Sequence, residues 1–137
     1  MTRPPEPSEK AVQARVRRLT WHLTVWGPPR TKKTHNVLAK AGRRYVVLPS
    51  AAWRAWNTSA RIERDEARYP IHEVVNCRAL FYRDAERGDA VGYYQGLADL
   101  LQAHDLVTND RLIVSWDGSR LLKDATNPRV EVILEPV

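Results

Sequence analysis

The stretch VVNCRALFY at residues 74–82, followed by DAVGYYQGLADLLQAH at residues 89–104, decides the fold of this chain. The first stretch is apolar on both faces, which is typical of a strand in the middle of a sheet. The second has apolar residues at the spacing of a helix that faces a core: Val91, Tyr94, Leu97, Ala98 and Leu101. A central strand followed by such a helix predicts a domain in which helices pack on a sheet.

Alternating apolar residues and turn signals divide the rest of the chain into short elements. We predict strands at 19–26, 112–116 and 129–134, a hairpin formed by 37–38 and 45–48, and a helix at 50–68. Ser50 is the expected N-cap of that helix. The order β, hairpin, α, β, α, β, β contains no internal repeat. It predicts a single α+β domain, with a mixed β-sheet and two main helices packed on it.

Length and composition set the limits of this domain. A chain of 137 residues can form one domain with a core, but not two. Residues 1–12 are rich in proline and charge and are predicted to be a disordered tail, which leaves 13–137 as the domain. The sequence has neither a long apolar run nor an apolar N-terminal segment, so we expect no membrane association and no secretion. The single cysteine, Cys77, excludes an internal disulfide framework and favours a cytoplasmic location.

The charge of the chain is unevenly distributed. The net charge is +6, but residues 1–50 have a balance of +9 and residues 51–137 a balance of −3. This division suits a protein that grips phosphates with its basic half and holds a divalent cation with its acidic half. It is also compatible with an ordinary domain whose charges pair internally.

Several common catalytic motifs are missing from the sequence. It has no glycine-rich phosphate loop, so no nucleotide cofactor is expected, and it has no zinc-ligand spacing or GxSxG elbow. What remains is a set of carboxylates near the ends of predicted elements: Asp89, Asp99, Asp110, Asp117 and Asp124. Such positions suit Mg²⁺ ligands, but helix caps and turns favour Asp there too.

Helix geometry separates three of these acids. On one continuous helix Asp89 and Asp99 lie about 15 Å apart along the axis, too far to share a metal ion. Asp110 follows the end of the same helix, so within one chain we expect it to be remote from Asp89. Asp99 is therefore interpreted first as a structural or interface acid.

Residues 88–101 and 109–113 resemble the RusA family of Holliday-junction resolvases. The signature of that family is Asp-x-Asp-Asn-x-x-Lys at the start of a helix, a later Asp-x-Leu, and an Asp-Asp pair before the next strand. The segments 27–33, 49–50 and 116–129 also look like RusA-like proteins of phages and prophages. The similarity extends from about Val25 to the C-terminus.

The resemblance implies a homodimer that cleaves branched DNA with Mg²⁺, or with Mn²⁺ in its place. It implies that Asp89 and Asp110 are catalytic metal ligands, and Asp99, which we expect to be a third metal ligand, is a candidate to compensate for a missing acid, as are Asp117 and Asp124. A two-fold axis between the helices would bring Asp89 of one chain toward Asp110 of the other. Seven basic residues are the candidate phosphate contacts: Arg30, Lys32, Lys33, Arg43, Arg44, Arg120 and Lys123.

The sequence departs from the family signature at four positions. Val91, Gly92 and Gln95 stand where the signature has its second Asp, its Asn and its Lys, and Asn109 stands where it has the first residue of its Asp-Asp pair. This departure motivates a second hypothesis, a branched-DNA-binding protein of the same fold whose catalysis is impaired. A third hypothesis is a phage accessory protein that binds another protein through its tryptophans and tyrosines.

Overall fold

The computed structural model describes residues 20–32, 37–41, 44–48 and 50–137. Its strands are β1 (Trp21–Trp26), β2 (Val37–Ala41), β3 (Arg44–Leu48), β4 (Arg61–Arg64), β5 (Val75–Arg83), β6 (Ile113–Ser115), β7 (Arg120–Lys123) and β8 (Arg129–Pro136). Its α-helices are α1 (Ala51–Ser59) and α2 (Ala90–Ala103), and a 3₁₀ turn spans Asp110–Leu112. The predicted tail, residues 1–12, lies outside the described residues.

Six of these strands form one mixed sheet, which confirms the predicted α+β class. The strand order is β4-β1-β8-β5-β6, and β7 also pairs with β5. The pairs β5–β6 and β5–β7 are parallel, whereas the other pairs of this sheet are antiparallel. Strands β2 and β3 form a separate antiparallel hairpin, as predicted, with Ala41 opposite Arg44.

The core lies between one face of the six-stranded sheet and helix α2. Alternate residues of the three central strands are buried: Leu23, Val25, Val75, Cys77, Ala79, Phe81, Val130, Val132 and Leu134. Helix α2 covers them with Leu97, Leu100 and Leu101, each fully buried. Burial also raises the pKa of the Cys77 thiol. The predicted central strand and the helix that follows it are therefore the two halves of one core.

Helix α1 begins as predicted but ends much earlier. Ser50 is its N-cap, and its side-chain oxygen accepts a hydrogen bond from the Trp53 N–H at 3.2 Å. The prediction of a helix up to Arg68 is wrong, because the chain becomes extended at Ala60 and Arg61–Arg64 pairs with the edge of β1. Strand β7 was not predicted either. Its four residues have no alternating apolar pattern, and they form a strand by pairing with β5.

No helix in the described part of the chain is long and apolar enough to cross a membrane.

Candidate functional site

A cleft of about 710 Å³ lies between helix α2 and the segment that contains the 3₁₀ turn and β6. Its wall includes two predicted site acids, Asp99 and Asp110, together with Lys32 from the basic loop. The other residues that line the cleft are Val91, Tyr94, Gln95, Ala98, Arg111, Ile113 and Trp116. The structure thus brings together within one chain three residues that the sequence places far apart.

One face of helix α2 forms a wall of the cleft. Val91, Gln95 and Asp99 are four residues apart, so they lie above one another on the same helix face. Val91 was predicted to face the core, but it is 56% exposed and lines the cleft. Gln95 is exposed as well, and Asp99 is partly buried. Two of the positions at which the sequence departs from the RusA signature therefore lie on this wall.

The carboxylate of Asp99 pairs with the ammonium group of Lys32. Lys32 Nζ lies 2.7 Å from Asp99 Oδ2, and the Lys32 side chain is 41% exposed. An ion pair with this exposure contributes little to stability, so its main effect is to hold the lysine over the cleft. This ion pair agrees with the structural role expected for Asp99, and it also places both charges on the wall of the cleft.

Lys32 reaches Asp99 because residues 27–32, here called the strap, run across a glycine groove on helix α2. A Cβ atom at Gly96 would clash with the carbonyl oxygen of Arg30. At Gly92 a Cβ atom would lie 3.0 Å from the Thr31 methyl carbon. The Trp53 indole N–H fixes the same turn by donating to the Gly96 carbonyl at 3.0 Å. The small residues at 92 and 96 thus allow the strap to approach closely.

Arg30 anchors the strap to the end of β5. Its Nη1 and Nη2 atoms donate to the two oxygens of Asp84 at 2.8 and 2.9 Å, a bidentate pair. Arg87 adds a bond to Asp84 Oδ2 at 3.2 Å. The bonds from Arg30 lower the pKa of Asp84 to about 2. Arg30 was predicted to contact DNA, but in this structure its charge is already engaged by Asp84.

Asp89 caps helix α2 and does not line the cleft. Its Oδ1 accepts a hydrogen bond from the Gly92 N–H at 2.9 Å, the usual bond of an N-cap. The side chain is exposed at the outer end of the helix. The structure therefore brings Asp110 together with Asp99 within one chain, and it places Asp89 outside that group, as the length of the helix predicted.

The remaining predicted phosphate contacts are dispersed. Lys33 and Arg43 lie outside the described residues, and Arg44 begins strand β3. Arg120 lines a second cavity, of about 800 Å³, on the sheet face opposite helix α2. Lys123 is exposed at the end of β7, where it pairs in register with Arg83. Of the seven basic residues, Lys32 alone is placed in the cleft by the described structure.

Two further acids from the predicted set have other positions. Asp124 closes the turn before β8, where it accepts hydrogen bonds from the N–H groups of Thr126 and Asn127 and pairs with Arg129 at 3.0 Å. These bonds, that from Asn127 first, lower its pKa. Asp117 is exposed and does not line the cleft. Neither residue joins Asp99 and Asp110.

The aromatic wall of the cleft was not predicted from the sequence. The rings of Tyr94 and Trp116 are stacked, with centroids 4.6 Å apart and planes inclined by only 6°. Phe81, in the core, supports Tyr94 at a centroid distance of 5.9 Å. The position of Tyr94 near the cleft could have been predicted from the sequence, because Tyr94 directly precedes Gln95 and lies one helical turn after Val91. Trp116 is brought in by a strand pairing that local periodicity does not show.

The oxygen atoms that line the cleft decide which metal ion it could bind. No group of three or more His, Cys, Asp or Glu side chains suited to a metal ion occurs within the residues that the structure describes. The cleft nevertheless has two carboxylates, Asp99 and Asp110, and the side-chain amide oxygen of Gln95. Mg²⁺ commonly binds through one or two carboxylates and keeps several waters, so oxygen donors of this kind fit the ion.

Comparison of the chain with protein-family models gives no match. Comparison with curated proteins gives none either.

Proposed function

We propose that this protein is a RusA-like endodeoxyribonuclease that acts on branched DNA, including Holliday junctions, as a cytoplasmic homodimer. The observation that carries the proposal is the meeting of Asp99, Asp110 and Lys32 in one cleft. Carboxylates that can hold a divalent cation, beside a second positive charge, suit metal-assisted hydrolysis of a phosphodiester. The order of the RusA-like motifs along the chain and the +9 balance of residues 1–50 support DNA as the substrate.

Asp99 and Asp110 would hold a Mg²⁺ ion, or Mn²⁺ in its place, with Gln95 as a neutral oxygen donor. When bound, the ion supplies a Lewis acid that activates water and neutralises charge on the phosphoryl oxygens. Asp89 keeps its proposed role as a ligand only if a second subunit brings it to the cleft, because its own chain uses it as a helix cap.

The basic residues of the cleft act on the phosphate. Lys32 and Arg111 line it from two different segments, one from the strap and one from the 3₁₀ turn. Both place positive charge where a phosphodiester would enter, which favours binding of the backbone whatever the base sequence. Because Lys32 is also paired with Asp99, an entering phosphate competes with that carboxylate for the same ammonium group.

A second candidate function is binding of branched DNA without cleavage. The observation that favours it is the exposed Val91 side chain on the cleft wall, at the position of the second acid of the RusA signature. Loss of one ligand commonly weakens a metal site strongly, whereas the phosphate contacts do not depend on that ligand.

One assay separates the hypotheses. Purified protein is incubated with a labelled four-way junction in Mg²⁺, in Mn²⁺ or in EDTA, and both cleavage and complex formation are measured. Cleavage that is lost in Asp110→Asn and Asp99→Asn, but kept in Asp117→Asn, supports the nuclease. Asp117 is a matched control because it is an exposed acid outside the cleft lining. Binding without cleavage supports the second candidate, and absence of both contradicts the two and favours an accessory protein.

A further inference from the structure

The stacked rings of Tyr94 and Trp116 lie on the wall of the cleft. Both residues are only partly buried, and both line the cleft. Tyr94 contacts the ring of Phe81, and both Tyr94 and Trp116 pack against the buried core. A stack supported in this way keeps its orientation without a ligand, which lowers the entropic cost of adding a third ring.

Polar groups lie beside this aromatic surface. Gln95 and Asp99 follow Tyr94 along helix α2 and offer hydrogen-bond donors and acceptors, while Lys32 and Arg111 offer positive charge. An aromatic wall, hydrogen-bonding groups and cations next to one another are the features with which proteins bind unpaired nucleotides. Val91 adds a small apolar surface to the same wall, and its side chain is exposed.

We propose that the cleft takes one unpaired nucleotide of branched DNA, with its base stacked against the Tyr94–Trp116 pair. This inference rests on the proposed function, because it assumes that DNA enters this cleft. The base extends the aromatic stack beside the exposed Val91 side chain, and Lys32 and Arg111 hold the neighbouring phosphates. A cleft of about 710 Å³ is within the range of sites that bind small ligands of nucleotide size.

The proposal predicts a preference for DNA with an unpaired nucleotide at a branch point over duplex. In a duplex every base is paired and stacked, so taking one into the cleft costs a few kcal/mol of lost pairing and stacking. For a base that is already unpaired, as an extra nucleotide at a branch point is, this cost is least. The aromatic pair therefore makes the cleft selective for distorted DNA, whereas the phosphate contacts alone bind any DNA.

The test uses binding in EDTA, so that its outcome does not depend on cleavage. The probes are four-way junctions with one extra nucleotide at the branch point, either 2-aminopurine or an abasic site, and a plain duplex of equal length. Wild-type protein is compared with Trp116→Leu, which removes the ring, and Trp116→Phe, which keeps one. Val114→Ala is the matched control, because Val114 is an exposed apolar residue of β6 that does not line the cleft.

We expect the wild type to bind the 2-aminopurine junction about 10-fold more tightly than the abasic one, and to quench its fluorescence. Trp116→Leu should lose this preference, Trp116→Phe should keep part of it, and Val114→Ala should match the wild type. If Trp116→Leu fails to fold, fluorescence quenching by the wild type and the binding preference of Trp116→Phe still test whether the base stacks in the cleft.

The two proposals fail in different ways. If the wild type binds junctions but does not distinguish the base from the abasic site, the nucleotide site is wrong and the proposed function stands. The same holds if Trp116→Leu folds and keeps the full preference. If the wild type binds none of the junctions, the proposed function fails, and the nucleotide site fails with it.

Discussion

Replacing Asp84 by Asn tests whether the strap depends on its anchor to β5. The pKa of Asp84 is lowered from 3.8 to about 2, first by the hydrogen bonds from Arg30. A shift of this size corresponds to about 2 kcal/mol in favour of the charged form in the folded protein. The side chains of Arg30 and Asp84 are 22% and 28% exposed, and water screens part of the interaction. We therefore expect Asp84→Asn to lower the free energy of unfolding by about 1–2 kcal/mol at pH 7.

The pH dependence of this loss follows from the direction of the pKa shift. Because the folded pKa lies below the unfolded one, the stabilisation by Asp84 is fully present above about pH 4 and disappears as the pH falls toward 2. The difference in unfolding free energy between wild type and Asp84→Asn should therefore be constant from pH 7 to about pH 4 and shrink below it.

Urea unfolding followed by tryptophan fluorescence measures this difference. Glu86→Gln is a suitable control, because Glu86 is an exposed acid of the same loop for which the described residues provide no ion pair. Arg30→Gln and the double variant complete a thermodynamic cycle, in which we expect a coupling energy of about 1 kcal/mol. A difference between wild type and Asp84→Asn that stays the same down to pH 2, or that is absent at pH 7, would refute the argument.

Three further predictions concern the strap, the glycine it crosses in helix α2, and the N-cap of that helix. Gly96→Ala gains about 1 kcal/mol of helix propensity but forces the new methyl group against the Arg30 carbonyl, so we expect a net loss of about 1–3 kcal/mol in the free energy of unfolding; a higher melting temperature would contradict the close approach of the strap. Asp89→Ala should cost about 1 kcal/mol of stability through loss of the cap, whereas Asp89→Asn should not. Cleavage of a junction that is lost in a stable Asp89→Asn protein would support a ligand role, and full cleavage would leave Asp89 as a cap only. Lys32→Ala, alone or with Lys33→Ala, should weaken binding to duplex and junction alike and reduce the slope of log affinity against log salt by about 0.9 for each DNA phosphate that the variant no longer neutralises; an unchanged slope would exclude these lysines from phosphate binding.

The elements that were predicted correctly are those whose signal is local. Strand β5 and helix α2 have long, regular apolar patterns, and Ser50 and Asp89 are side chains that cap the turn immediately after them. By contrast, residues 61–64 have good helix formers but become strand β4, because pairing with the open edge of β1 satisfies their backbone groups and turns Ile62 toward the core. Contacts between distant segments decided that outcome, and the local pattern contains no information about them.

In the candidate site, too, the features set by local geometry were predicted and those set by contacts between distant segments were not. Helix geometry correctly separated Asp89 from Asp99, since 1.5 Å per residue is a local property. The meeting of Asp99 with Asp110 and Lys32 depends on the path of the strap and on the turn after helix α2. The stacking of Tyr94 on Trp116 likewise depends on the pairing of β6 with β5. These are relations between segments, which a reading of spacing along the chain cannot supply.

The departures from the RusA signature and the path of the strap are physically connected. A residue larger than glycine at 96 would push the strap away, and Lys32 would then lose its position beside Asp99; at 92 it would meet the Asp89 cap first and the Thr31 side chain next. With neutral Gln95 on the helix, the strap supplies a cation to the cleft from outside the helix. Under the proposed function, the lysine missing from the helix signature is thus compensated in space by Lys32, and the glycines are what permits the compensation. Among the described residues that line the cleft, none compensates in this way for the acid missing at Val91. The cleft therefore differs from the signature in its number of carboxylates and not in its positive charge.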